Sequence, residues 1–187
     1  MSEAQKDSII SQVSRRSFIT GGIAAAATFF IPKVSLASWG DSHRTLKLEN
    51  IHTGEKVRTT YWERGRYISG ALKEINHVLR DHRTNDVHTM DKGLLDLLTA
   101  LHKKLGSREE FEVISGYRSP ASNAMLHERS NGVAKKSMHM EGRAIDIVLA
   151  DRSLQQVRSA AVAMGRGGVG YYSGKFVHVD TGAVRKW

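Results

Sequence analysis

Cysteine is absent from the 187 residues. Without it the chain has no disulfide framework, no thiolate zinc finger, no iron–sulfur cluster, no cysteine nucleophile and no Cys-linked lipid anchor. Any metal it holds must take imidazole and carboxylate ligands. Long apolar runs are missing too: the stretch from Gly21 to Ile31 is about eleven residues, too short to span a bilayer. No internal repeat or low-complexity tract is visible, which argues against solenoids and collagen-like arrays. The glycines of Gly165-Arg166-Gly167-Gly168-Val169-Gly170 precede a strand-like run instead of opening a helix, so they do not read as a phosphate loop.

What is present is a globular composition, 40% hydrophobic and 25% charged. Net charge is +9, and the sequence pI is near 9.9. A basic surface favours a polyanion, whether nucleic acid, an acidic membrane or an anionic cell wall, and says nothing of fold. The beginning of the chain narrows that choice. Ser14-Arg15-Arg16-Ser17-Phe18-Ile19-Thr20 stands before the weakly apolar run, which ends in Pro32-Lys33-Val34-Ser35-Leu36-Ala37-Ser38. This order resembles a bacterial twin-arginine signal, with small Ser35 and Ala37 placed for cleavage after Ala37. Residues 1–37 are therefore expected to be an export signal and 38–187 a single periplasmic domain of about 150 residues. Lys6, Arg15, Arg16 and Lys33 against Glu3 and Asp7 give the leader a net +2, so the mature domain keeps +7. An address outside the cytoplasm, with no recognised motif or basic helix, argues against nucleic acid.

Alternating residues over 45–48 and 57–62 around Gly54 predict a β-hairpin. Leu72, Ile75, Val78 and Leu79 fall at helical spacing over 70–80, with Ser69 as a cap, and 90–105 repeats the pattern in leucines up to a Gly106 stop. The link 80–89 is read as too charged to be buried. Strands are expected at 111–115, 145–149, 169–172 and 176–179, with helices near 120–130 and 153–163. Helices first and short strands later predict an α+β fold, one small domain with an antiparallel sheet flanked by helices.

The chemistry concentrates in Ser137-Met138-His139-Met140-Glu141-Gly142-Arg143-Ala144-Ile145-Asp146-Ile147 and in Phe176-Val177-His178-Val179-Asp180. A catalytic zinc commonly has three N and O ligands and leaves a fourth position to water. His139, Asp146 and His178 can supply that set: Gly142 permits a close turn between the first two, and a carboxylate at Asp146, among β-branched residues, needs a partner or a metal. Among the nine histidines, His43, His52, His77, His82, His88 and His102 have no acid or second ligand at useful spacing and read as surface or hydrogen-bonded residues.

With Ser115-Gly116-Tyr117-Arg118-Ser119, these stretches resemble the three signatures of the zinc murein peptidases that include the D-alanyl-D-alanine carboxypeptidases and dipeptidases. The twin-arginine leader and Leu79-Arg80-Asp81-His82-Arg83-Thr84 bring the chain nearest to the YcbK-like (MepK) group of periplasmic murein endopeptidases. The resemblance covers nearly the whole mature chain. It implies a small α+β domain whose antiparallel sheet carries Zn2+, with His139, Asp146 and His178 as ligands and Arg118 as a substrate or transition-state contact. A fixed guanidinium can bind a carboxylate or a developing oxyanion. The activity implied is hydrolysis of amide bonds in peptidoglycan cross-links, including those between two diaminopimelate residues; carboxypeptidase action on stem peptides and a non-catalytic wall-binding module are the alternatives. The chain departs from its relatives where they place a Glu three residues before the last ligand, or a His two before it, to take a proton from water. Here those positions are Lys175 and Phe176. Asp180, two residues after His178, is the candidate base or else a partner orienting a ligand, with His127 and Glu141 as further candidates.

Overall fold

Residues 42–130 and 132–187 are described in a computed structural model; the expected export signal, residues 1–37, lies outside them. A hairpin opens the domain. Strand β1 (His43–Asn50) turns through Gly54, whose φ of 71° is left-handed, into β2 (Lys56–Glu63), and a two-residue strand β3 (Arg66–Tyr67) adds to its edge. Helix α1 (Ser69–Val78) follows without a side-chain cap: Ile68 occupies the N-cap position, and Ser69 is the first helical residue instead of the expected cap. Helix α2 (Lys92–Leu105) is capped at both ends, by the Asp91 carboxylate accepting from Leu94 N at 2.9 Å and by left-handed Gly106.

The rest of the chain builds the sheet around the site. Strand β4 (Phe111–Ser115) leads into helix α3 (Pro120–Arg129), then a single 3₁₀ turn (Met138–Glu141) and β5 (Ala144–Leu149). Helix α4 (Leu154–Val162), started by a Ser153–Gln156 capping box, precedes β6 (Gly168–Tyr172), β7 (Phe176–Asp180) and β8 (Arg185–Lys186). The eight strands order as β3-β2-β1-β4-β5-β7-β6-β8. The α+β class is as expected, and the strands that carry the site, β4-β5-β7-β6, are antiparallel. The whole sheet is mixed, because β1 pairs with β4, and β6 with β8, in parallel. Between β1 and β4 the chain passes through β2, β3, α1 and α2, long enough for the crossover that a parallel pair requires.

Alternation divides the two faces of the sheet. Ile145, Ile147 and Leu149 of β5 and Val177 and Val179 of β7 join one buried cluster with Phe111, Ile75 of α1, Leu94, Leu98 and Leu101 of α2, and Val157 of α4. Each such side chain contributes about 1.5–3 kcal/mol by leaving water. Ala144, Asp146, His178 and Asp180 alternate with them and point to the opposite face. The helical face thus supplies stability and frees the other for chemistry.

The charged link 80–89 is not wholly exposed. Asp81 is 1% exposed, its carboxylate accepting from the Ser119 N–H at 2.8 Å and from the Arg83 N–H at 2.9 Å. Burial alone would raise its pKa, but the Ser122 hydroxyl and these backbone donors lower it to about 2. A charge can be buried here because another loop hydrogen-bonds it, and that loop carries Arg118.

Candidate metal centre

Three local devices bring the chemistry-bearing residues together. The 3₁₀ turn presents His139: Ser137 caps it, its hydroxyl accepting from His139 N at 3.4 Å, and Gly142 ends it at a φ of 65°. A Cβ on Gly142 would lie 2.5 Å from the Thr89 carbonyl oxygen, so both its sign of φ and its surroundings exclude a side chain. Pairing of β5 with β7 sets Asp146 directly opposite His178, so their side chains stand side by side on one face. Arg118 arrives on the loop after β4, whose Arg118 N–H donates to the His139 carbonyl at 3.2 Å and whose Tyr117 N–H donates to the Leu79 carbonyl at 2.7 Å.

His139 Nε2, Asp146 Oδ1 and His178 Nδ1 converge. The separations are 3.3 Å from His139 Nε2 to Asp146 Oδ1, 2.8 Å from His178 Nδ1 to the same oxygen, and 3.3 Å between the two nitrogens. Among the described residues this is the one group of three or more such side chains able to offer ligand atoms within 4.8 Å of one another. The far side of each ring is occupied: His139 Nδ1 donates to the Gly116 carbonyl at 2.7 Å, and His178 Nε2 faces Asp180 Oδ2 at 3.1 Å. The Gly116 carbonyl can only accept, so it fixes the His139 tautomer with its lone pair at Nε2; His178 has a carboxylate at each nitrogen, and a proton held at Nε2 by Asp180 leaves the Nδ1 lone pair for a cation. Lone pairs so crowded repel unless a cation lies among them, a proton or a metal. Two imidazole nitrogens and one carboxylate oxygen suit zinc. Burial disfavours a charged His178, but its hydrogen bonds to Asp146 and Asp180 outweigh this and raise its pKa. For Asp146 burial acts upward, and the His139 and His178 rings hold its carboxyl well below the usual range.

Arg118 sits over this group, 8% exposed, with one guanidinium nitrogen 3.7 Å from Asp146 Oδ2. Its remaining contacts are long, 3.4 Å to Asn123 Oδ1 and 3.4 Å to Ser115 Oγ, and its Nε is buried without a partner. Burial opposes its charge, and Asp146 offsets part of that cost. A guanidinium left this loosely bonded keeps donors for a ligand.

Asp180 is differently placed. It is 0% exposed, and its Oδ1 accepts from Gly182 N at 2.8 Å, Gly168 N at 3.0 Å and Arg185 at 3.1 Å. Its Oδ2 accepts from Arg185 at 2.6 Å besides facing His178. Burial acts upward on its pKa, and His178 with these donors holds it well below the carboxylate range. Its oxygens are taken up by protein donors. His127 lies elsewhere, lining a separate depression with its Nδ1 2.6 Å from the Val133 carbonyl, and Glu141 pairs with Arg143 on the surface. The other histidines stay apart: His52 stacks on His82, and His88 on Tyr117.

The three converging residues open into a cleft of about 510 Å³ whose wall includes Arg118, Lys136, Tyr172, Lys175 and Trp187. Among the described residues lining it, Asp146 is the one carboxylate and His139 and His178 the only imidazoles. Tyr172 and Trp187 escape a reading of the sequence, because only the pairing of β6 with β7 sets the first at the cleft and only that of β8 beside β6 brings the last residue there.

A mainly antiparallel sheet carries the apolar core on one face and a His-Asp-His group under a buried arginine on the other, a donor set that suits a metal. The comparisons supply the class, a peptidoglycan peptidase. A family profile described as "Peptidoglycan L,D-endopeptidase MepK" (Peptidase_M15_2) matches residues 38–187, and the chain belongs to that family. It is 41% identical over 175 residues to the peptidoglycan L,D-endopeptidase MepK of Escherichia coli strain K12, covering 92% of this chain and 96% of the relative. With the probable peptidoglycan L,D-endopeptidase MepK of Haemophilus influenzae it shares 39% identity over 180 residues, 95% of this chain and 97% of the relative.

Proposed function

We propose that this protein is a zinc-dependent murein endopeptidase that hydrolyses amide bonds in peptidoglycan cross-links. The convergence of His139 Nε2, Asp146 Oδ1 and His178 Nδ1 carries the reading, and family membership supports the substrate class. The L,D specificity in the relatives' name favours cross-links between two diaminopimelate residues. Zinc, held by those three atoms, would polarise the scissile carbonyl and acidify a water. Arg118 takes the substrate's negative charge on its unused donors, in a buried setting where such contacts are strong. Asp180 orients His178: by accepting from Nε2 it keeps the proton off Nδ1, the atom that must ligate. Gly116 does the same for His139 through its carbonyl.

The proposed compartment is the periplasm, reached by twin-arginine export. No helix of the described residues is long and apolar enough to cross a membrane. The basic mature surface favours an anionic wall and loses that preference as salt rises. His139→Ala, Asp146→Ala and His178→Ala proteins, assayed for bound zinc and for release of soluble fragments from purified cell wall, test the reading. Each should lose both, and zinc binding to the native chain should weaken as pH falls and the ligands protonate. A His139→Ala protein that keeps stoichiometric zinc overturns the site.

A further inference from the structure

Trp187 is built into the cleft more firmly than a half-exposed residue needs. Its backbone is stitched to β6 on both sides, Trp187 N–H to the Val169 carbonyl at 3.1 Å and Tyr171 N–H to the Trp187 carbonyl at 3.0 Å. Its indole N–H donates to the Tyr172 hydroxyl at 3.3 Å, and the Arg185 guanidinium lies 5.0 Å from the ring centroid. The ring rests over Gly170, where a Cβ would come within 2.7 Å of it. It sits 5.4 Å from the His178 ring, yet the residue stays 47% exposed. Tyr172 and Phe176, 4.5 Å apart, continue the aromatic surface along the same cleft. An aromatic face already fixed in place loses little entropy when a ligand covers it. The polar part of the wall is cationic, with Lys136 and Lys175 both exposed and lining the cleft.

A rigid apolar face beside two exposed lysines selects a particular chemistry. We propose that Trp187 is a substrate-binding residue that takes the aliphatic length of a stem-peptide side chain against its indole, while Lys136 and Lys175 take the carboxylate at that side chain's end. The inference rests on the murein reading above and adds to it the feature of the peptide that is recognised. The ligand class is a side chain aliphatic along its length and anionic at its tip.

The test is calorimetric binding of a purified muropeptide dimer to chelator-treated protein, which separates recognition from turnover. Trp187→Ala should weaken binding about tenfold, the scale of one aromatic contact, whereas Trp187→Phe should stay within about threefold of wild type. Gly170→Val, which displaces the ring from below, should mimic Trp187→Ala and decides the matter if that protein does not fold. A dimer with amidated side-chain carboxylates should bind the native chain about tenfold more weakly, a difference that the Lys136→Ala, Lys175→Ala double variant should erase. Zinc content, measured on each protein before chelator treatment, should be unchanged. Unaltered affinity in Trp187→Ala, or equal affinity for amidated and free dimers, overturns the inference and leaves the murein reading standing. Loss of zinc in Trp187→Ala overturns it by showing that the indole acts through His178. A native protein that binds no dimer overturns the inference, while fragment release from purified cell wall by the zinc-loaded protein decides the murein reading separately.

Discussion

Replacing Asp180 by Asn separates the two roles open to a carboxylate beside a ligand. The change keeps the volume and exchanges one acceptor oxygen for an NH2 group. If that group replaces Oδ2, it meets Arg185, which donates at 2.6 Å, and His178 Nε2 at 3.1 Å. If it replaces Oδ1, it meets the N–H groups of Gly168 and Gly182 at 3.0 and 2.8 Å and a second Arg185 nitrogen at 3.1 Å. The first arrangement opposes two donors and the second three, so the amide nitrogen settles toward His178. There it donates to Nε2 and moves the ring proton to Nδ1, the atom that must coordinate. Disturbing such an outer partner costs about 10–100-fold in metal affinity. Competition against a chromophoric chelator should show zinc binding weakened by that factor, with the far-UV dichroism of the native fold retained and activity partly restored by excess zinc. Native zinc affinity together with turnover reduced about 10²–10⁴-fold would refute the argument and make Asp180 the base.

Three further outcomes are expected. Asp81→Asn should cost about 2 kcal/mol at neutral pH: a carboxyl lowered to about 2 in the fold stabilises fully above its unfolded value near 4, so wild type and variant should converge in urea unfolding as pH falls from 4 to 2. Gly142→Ala, forced to a φ of 65° with its Cβ 2.5 Å from the Thr89 oxygen, should lose about 2–4 kcal/mol in the same assay; a change below 0.5 kcal/mol would show that the turn adapts. Changing Arg15 and Arg16 together to Lys should stop export, and mature protein starting at Ser38 and still reaching the periplasm would remove the twin-arginine assignment.

Local pattern made most of the elements legible. The leucines of α2 recur at helical spacing, and β4 occupies Phe111–Ser115 as alternation and flanking residues predict. Strands β3 and β8 are two residues each, too short to show any period, and β8 is what carries Trp187 to the cleft. The cap of α1 misleads because Ser69 is a good capping residue by type, while the tertiary path of the chain gives that position to Ile68. Charge in the 80–89 link suggests exposure, and only the contact with Ser119, 38 residues away, explains a buried Asp81. Strand order is similarly non-local: nothing near β1 indicates β4 as its parallel neighbour. The residues of the candidate site were easier to single out, since Gly142 joins His139 to Asp146 over a short stretch. What Asp180 does could not be read in this way, because Gly168, Gly182 and Arg185 occupy its oxygens only in three dimensions.

The central claim is that the His139, Asp146 and His178 group makes this domain a metal-dependent enzyme and not a wall-binding module. Mass analysis of products from a purified muropeptide dimer joined through two diaminopimelate residues, incubated with zinc-loaded protein, tests it most directly. Conversion to two monomers with addition of one water across the bond is expected, abolished by chelator and restored by zinc. A dimer that is bound but stays intact with stoichiometric zinc present would contradict it.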